Sequence, residues 1–133
     1  MNSYTLEQLN KIPDGFSNNL IWNIGHIIVS QQGLVYRHSG MPSYIEESLV
    51  ETYKNGSKPT GITTAEEVNQ LKDLLISLIE KTKADYNEGK FTSYQEYNTS
   101  TGFNLQSTKE ALEFNNYHEA LHLGFMVNIR KFI

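Results

Sequence analysis

Apolar residues along this chain recur at helical rather than strand spacing, in blocks separated by polar turn signals. Between residues 64 and 88, Val68, Leu71, Leu75 and Leu78 step by three and four, and Leu74, Ile76 and Ile79 widen the stripe. That pattern predicts a bundle helix with one buried face. Residues 17–38 read differently, because Leu20, Ile21, Trp22, Ile24, Ile27, Ile28, Val29, Leu34 and Val35 cover nearly the whole circumference. Only a narrow polar stripe of Asn19, Asn23, His26, Ser30, Gly33 and Arg37 is left, which predicts a central helix. Over 108–131, at about 100° per residue, Ala111, Phe114, Asn115, His118, Leu121, His122, Phe125 and Ile129 share one face. Phe114, Leu121, Phe125 and Ile129 mark that face as the inner one.

Helix starts are written as capping boxes, in which a Ser or Thr and a Glu or Gln three residues later satisfy the free N–H groups of the first turn. The pairs are Thr5/Gln8, Ser43/Glu46, Thr64/Glu67 and Ser107/Glu110. Pro13-Asp14-Gly15 closes a short helix over 5–11, and Ser17 or Asn18 is placed to cap the next. A medium helix is expected over 43–54, with turns at Asn55-Gly56, Pro59 and Glu88-Gly89. Residues 90–106, where Phe91, Tyr94, Tyr97 and Phe103 are spaced among polar residues, read as an ordered loop, with a small hairpin as the alternative. The sum is an all-α antiparallel bundle in a single domain over 1–133.

A chain of 133 residues can bury one adequate core. Its net charge of −4 is mild and scattered, which leaves no basic footprint and excludes nucleic acid as an expected partner. From Phe16 to Tyr36 there is no charged residue, yet Asn, His and Gln interrupt the stretch and no apolar run exceeds three residues. It is read as a buried helix, not a membrane span. The opening Met-Asn-Ser-Tyr-Thr-Leu-Glu lacks the basic start and apolar run of a secretory signal, so the cytoplasm is the expected compartment. The absence of cysteine removes disulfides, thiolate metal sites and a cysteine nucleophile, and leaves histidine and carboxylate as metal ligands.

His118 and His122 lie one helical turn apart on an apolar face, close enough to share one ion. A single buried histidine is ordinarily a core residue with a satisfied hydrogen bond. Two on an apolar face each need a polar partner or cost about 1–3 kcal/mol in desolvation. The uncharged stripe of the central helix offers His26 as the third ligand, since exposed helix faces normally carry Lys and Glu whereas Asn, His, Ser and Gly suit an internal cleft. His38, just before Ser39-Gly40, reads as a C-terminal turn residue favoured by the helix dipole and is excluded.

His118-Glu119-Ala120-Leu121-His122 also fits H-E-x-x-H, with Glu119 as general base. The extended zinc-protease form would want Gly at 125 and His at 128, where Phe125 and Asn128 stand. The 11 residues after His122 are too few to bring a ligand from a later helix. Glu119 lies about 100° round from His118, at the edge of the site face, as a base on metal-bound water or as a surface carboxylate.

Two elements, Asn18-Asn19-Leu20-Ile21-Trp22-Asn23-Ile24-Gly25-His26 and Asn115-Asn116-Tyr117-His118-Glu119-Ala120-Leu121-His122-Leu123-Gly124, resemble those of the DinB-like superfamily of metal-dependent enzymes. The resemblance runs from about residue 9 to 131. It implies an antiparallel bundle with one metal, usually zinc or nickel, held by His26, His118 and His122. It also implies S-transferases and isomerases that use low-molecular-weight thiols among the relatives, and gives no reason to expect DNA chemistry. Family members commonly begin with a full-length helix, whereas only a dozen residues precede Pro13 here. The first long helix is therefore expected to be shortened or missing, and a homodimer to cover the exposed groove unless the true start lies upstream.

Three neutral imidazoles leave an ion its full charge and at least one open position, as a site for substrate requires. The first expectation is a transferase in which a thiol enters as thiolate, with Asn19, Asn23 and Asn115 contacting a small-molecule substrate. The second is a hydrolase with Glu119 as base. A third is a non-catalytic metal-binding or helical interaction protein whose histidines only fix the bundle.

Overall fold

Three long helices carry the fold in a computed structural model that describes residues 3–133. Met1 and Asn2, the first residues of the segment read for a signal, lie outside the described residues. The order is α1 (Leu6–Asn10), α2 (Leu20–Val35), a 3-10 turn (Arg37–Ser39), α3 (Glu47–Tyr53), α4 (Ala65–Asn87), a two-strand hairpin of β1 (Tyr97–Asn98) and β2 (Asn104–Leu105), and α5 (Thr108–Ile129). The all-α class is as expected. No described helix is long and apolar enough to cross a membrane.

α2 is central: nearly every position on it is buried, polar ones included, and α1, α3, α4 and α5 all pack on it. α5 runs antiparallel to it. Ile129 joins the core around Ile21, Trp22 and Leu71, while Ala111 and Phe114 pack with Leu34, Val35 and Tyr36 at the other end.

Thr5 and Thr64 form complete capping boxes. Ser107 accepts from the Glu110 N–H at 3.2 Å, but the Glu110 carboxylate reaches back to the Gln106 N–H instead of closing the box. Two predicted starts are wrong. α2 begins at Leu20 rather than 17, because Asn19, not Ser17 or Asn18, accepts from the Trp22 N–H at 2.8 Å. α3 begins at Glu47 rather than 43: the buried Gln32 amide oxygen accepts from the Ser43 hydroxyl at 3.3 Å and the Tyr44 N–H at 2.9 Å. That tertiary contact holds the segment in a bend outside the helix, so Ser43 does not cap α3. At its far end α2 stops at Val35 and tightens into the 3-10 turn, which Gly40 closes at φ 71°.

The segment 90–106 is not a simple loop, since it contains the hairpin. The Thr99 N–H donates to the Phe103 carbonyl at 2.8 Å, and Gly102 takes φ 89° at the turn. The segment is strapped over the end of α2: Gln95 N–H donates to the His38 carbonyl at 2.6 Å, Ser93 to the Ser39 carbonyl at 3.2 Å, and the Tyr94 hydroxyl to the Leu34 carbonyl at 3.0 Å.

The apolar stripes of α4 and α5 are wider than what the chain buries. Ile76 and Ile79 are 64% and 51% exposed, and Leu121 and Phe125, read as inward, are 38% and 55% exposed. α4 and α5 each lean on α2, and α1 has only five residues, so no long helix among the described residues fills the space between them.

Candidate metal centre

α2 and α5 cross with their histidines facing. His26, His118 and His122 each offer a ring nitrogen within 4.8 Å of the others. Ring centroids are 5.2 Å apart for His26 and His118, 4.8 Å for His26 and His122, and 4.6 Å for His118 and His122. The three predicted ligands are thus brought together from positions nearly a hundred residues apart, as in a three-histidine site.

The Trp-Asn-x-Gly-His run of α2 builds one side of this cluster. Trp22 stacks on His26 with centroids 4.7 Å apart and planes 8° from parallel, and its indole N–H is anchored on the Ser57 hydroxyl at 2.9 Å. The His26 Nδ1–H donates to the Tyr53 carbonyl at 2.7 Å, which fixes the tautomer and leaves Nε2 as the ligand atom. Tyr53 comes this close because residue 25 is glycine: a Cβ there would sit 2.4 Å from the Tyr53 ring. The Ser30 hydroxyl donates weakly to His26 Nε2 at 3.3 Å and can rotate away.

Asn23 builds the other side. Its Nδ2 donates to the Asn19 carbonyl at 2.8 Å, which turns Oδ1 outward to accept from His122 Nδ1–H at 2.8 Å. His122 therefore also presents Nε2. His118 has no such support, and its Nδ1 is buried without a partner. An unmet buried nitrogen costs about 1–3 kcal/mol, which an ion or water would relieve.

Burial holds all three imidazoles neutral at ordinary pH. It pushes His26 below its usual value. It takes His118 and His122 down to about 4, with the neighbouring histidines adding a smaller effect in the same direction. Two rings in fixed tautomers, a third with an unmet nitrogen and no charge among them fit a divalent cation.

The cluster opens on a cavity of about 700 Å³ whose walls include Phe16, Trp22, Asn23, Gly33, Tyr97 and Phe125. No Asp, Glu, Lys or Arg lines it among the described residues. The other residues expected at the site are placed elsewhere. Asn19 is buried as the α2 cap, its Nδ2 donating to the Asn10 carbonyl at 3.1 Å, and it does not line this cavity. Asn115 and Glu119 bond to each other at 2.7 Å and line a second cavity, between α4 and α5, with Thr82 and Lys83. One helical step of about 100° separates His118 from Glu119, enough to carry the carboxylate round α5. His38, excluded from the site on sequence, lines the histidine cavity, because the 3-10 turn at the end of α2 and the hairpin strap draw it inward. No local pattern marked it, since at about 100° per residue position 38 lies some 120° round from His26.

A family model described as the DinB superfamily matches residues 1–126. No curated protein and no solved structure matches the chain. The chain belongs to the DinB superfamily.

Proposed function

We propose that this DinB-superfamily protein is a metal-dependent transferase in which His26, His118 and His122 hold one divalent ion, zinc or nickel, and a low-molecular-weight thiol is the nucleophile. The observation that carries the reading is the convergence of three neutral imidazoles on a cavity that no carboxylate lines. A bound ion would supply positive charge that lowers a thiol's pKa, so thiolate forms without a protein base. The chain's own part is orientation. Tyr53 and Asn23 hold the tautomers of His26 and His122, and Trp22 braces His26.

Hydrolysis with Glu119 as base has less support, since that carboxylate lines the other cavity and is engaged by Asn115. A purely structural metal would fit a closed site, whereas an open cavity adjoins this cluster. The test is elemental analysis of purified wild type and His26→Ala, followed by thiol consumption with electrophile panels. Metal in the wild type only, with thiol consumption that follows it, supports the reading. Activity retained without metal, or lost in Glu119→Gln with metal retained, rejects it.

We also propose that a second copy covers the α4–α5 groove. Ile79 and Leu112 give it apolar walls, and Lys83 on α4 stands across from Glu119 on α5. A two-fold pairing would set each lysine against the partner's carboxylate side. Light scattering showing a clean monomer at micromolar concentration would reject it.

A further inference from the structure

Among the described residues four buried side-chain atoms lack a hydrogen-bond partner: Asn18 Oδ1, His38 Nδ1, Asn115 Oδ1 and His118 Nδ1. Asn18 precedes α2 and His38 lies in the 3-10 turn beyond it, at opposite ends of that helix. Asn115 and His118 instead share α5, three residues apart, where helix geometry makes side chains neighbours with about 5–6 Å between their Cβ atoms. Both arms are short, and modest rotation of the two side chains closes that gap to a hydrogen bond. The amide oxygen only accepts, whereas the ring nitrogen can donate, so the two atoms are complementary.

The sense of the Asn115 amide is fixed. Asn115 is 6% exposed, and its Nδ2 donates to Glu119 Oε1 at 2.7 Å. Reversing the amide would set its oxygen against the carboxylate, acceptor on acceptor, so the oxygen is the end left for a donor. The same construction stands behind the neighbouring imidazole. Asn23 Nδ2 donates to the Asn19 carbonyl at 2.8 Å, and the Asn23 amide oxygen accepts the His122 Nδ1–H at 2.8 Å. His26 is held in the same tautomer by the Tyr53 carbonyl at 2.7 Å. His118 is the one imidazole of the cluster whose Nδ1 is unclaimed, and an unclaimed acceptor sits one turn before it on the same helix.

We propose that Asn115 is the positioning residue of His118: its amide oxygen accepts the His118 Nδ1–H, and Glu119, which does not line the histidine cavity, holds the amide in that sense. Each of the three imidazoles then has an acceptor behind it and presents Nε2 to the shared point. The tautomer belongs to the chain itself; its consequence for ion affinity rests on the proposed metal reading.

Ring-nitrogen NMR of histidine-labelled, metal-free protein at neutral pH reads the tautomer directly. The chain has four histidines, and the His118 signals are assigned by their absence in His118→Gln. In the wild type the His118 proton is expected on Nδ1. Asn115→Leu should give a mixture of both tautomers, as should Glu119→Ala, which frees the amide to rotate. Glu119 is only half-buried, so the second variant asks the same question if the first fails to fold. The double change Asn115→Asp with Glu119→Gln reverses the inner hydrogen bond but keeps an acceptor for His118, and should restore the single tautomer. In a chelator competition, Asn115→Leu should weaken zinc binding about 10–100-fold and the double variant should recover most of it. A wild-type His118 that carries its proton on Nε2 overturns the inference, because Nδ1 is then the atom left for the ion. A tautomer that neither Asn115→Leu nor Glu119→Ala alters overturns it too, whether or not zinc is held. The expected tautomer pattern in a protein that binds no zinc retains the positioning role and rejects the metal reading.

Discussion

Two groups of buried polar side chains flank α2, and they are finished differently. At the C-terminal end of α4, Asp85 is 3% exposed and accepts from the Tyr36 hydroxyl at 2.8 Å, the Tyr44 hydroxyl at 2.9 Å and the Lys90 ammonium at 2.5 Å. Thr82 beside it links the Gln31 amide and the Tyr36 hydroxyl. Both carboxylate oxygens have donors, and the cluster ties α2, α4 and the segments after each of them. At the α2–α5 crossing, Tyr53 and Asn23 satisfy only the outer nitrogens of His26 and His122, and His118 Nδ1 has no partner at all. Both groups are costly to bury. What separates them is which atoms are left over: a network that closes on itself fixes helices, whereas lone pairs left unmet around one point are available to a ligand.

The largest effect that could break this contrast is on metal. His118→Ala should abolish stoichiometric metal binding, measured by elemental analysis after dialysis, while Asp85→Ala leaves metal per folded molecule unchanged. Full metal in the first variant would reduce the histidine cluster to another packing feature. Stability should respond the other way. Asp85→Ala leaves the buried Tyr36 hydroxyl with only its 3.3 Å contact to Thr82 and removes the acceptor that ties Tyr44 and Lys90 to α4, and is expected to cost about 1–3 kcal/mol, read from the urea midpoint. A loss below about half a kcal/mol would show that the closed network does not hold α4 in place.

Smaller and sharper is Asn23→Ala, which removes the acceptor for His122 and should weaken metal binding about 10–100-fold. Asn23→Asp keeps an acceptor at that position and should restore most of it. Equal weakening by both substitutions would assign Asn23 to packing alone.

Acid should separate the two regions by pH window. His118 and His122 titrate near 4 when folded, against an ordinary value of 6.5. Below about 6.5 the unfolded chain then binds more protons than the folded one, so metal-free protein loses stability as pH falls from 6.5 toward 4 and gains nothing further above. The Lys90 ammonium holds Asp85 below its ordinary 3.8, so its contribution persists through that window and is lost only as pH falls further. Replacing both His118 and His122 with leucine should flatten the upper slope in a urea-midpoint series and leave the lower one. An unchanged upper slope would place the acid sensitivity elsewhere.

The sequence by itself determined the helices and which three histidines cluster. Periodicity of apolar residues follows directly from helical geometry, so five helices and the central place of α2 were legible, as was the inward turn of His118 and His122 at a spacing of one turn. His26 was legible because a polar stripe without Lys or Glu is rarely a solvated face. Tertiary structure decided what spacing cannot encode. Asn19 became a cap instead of Asn18 through a backbone N–H, Ser43 lost its capping role to Gln32 from another helix, and Glu119, one step of about 100° round from His118, faces the cavity between α4 and α5. His38 joined the histidine cavity through a strap of hydrogen bonds from residues 93–95. For Ser43 and His38 the competing partner lies on another element, and a local pattern holds no information about which distant group arrives to claim a hydrogen bond.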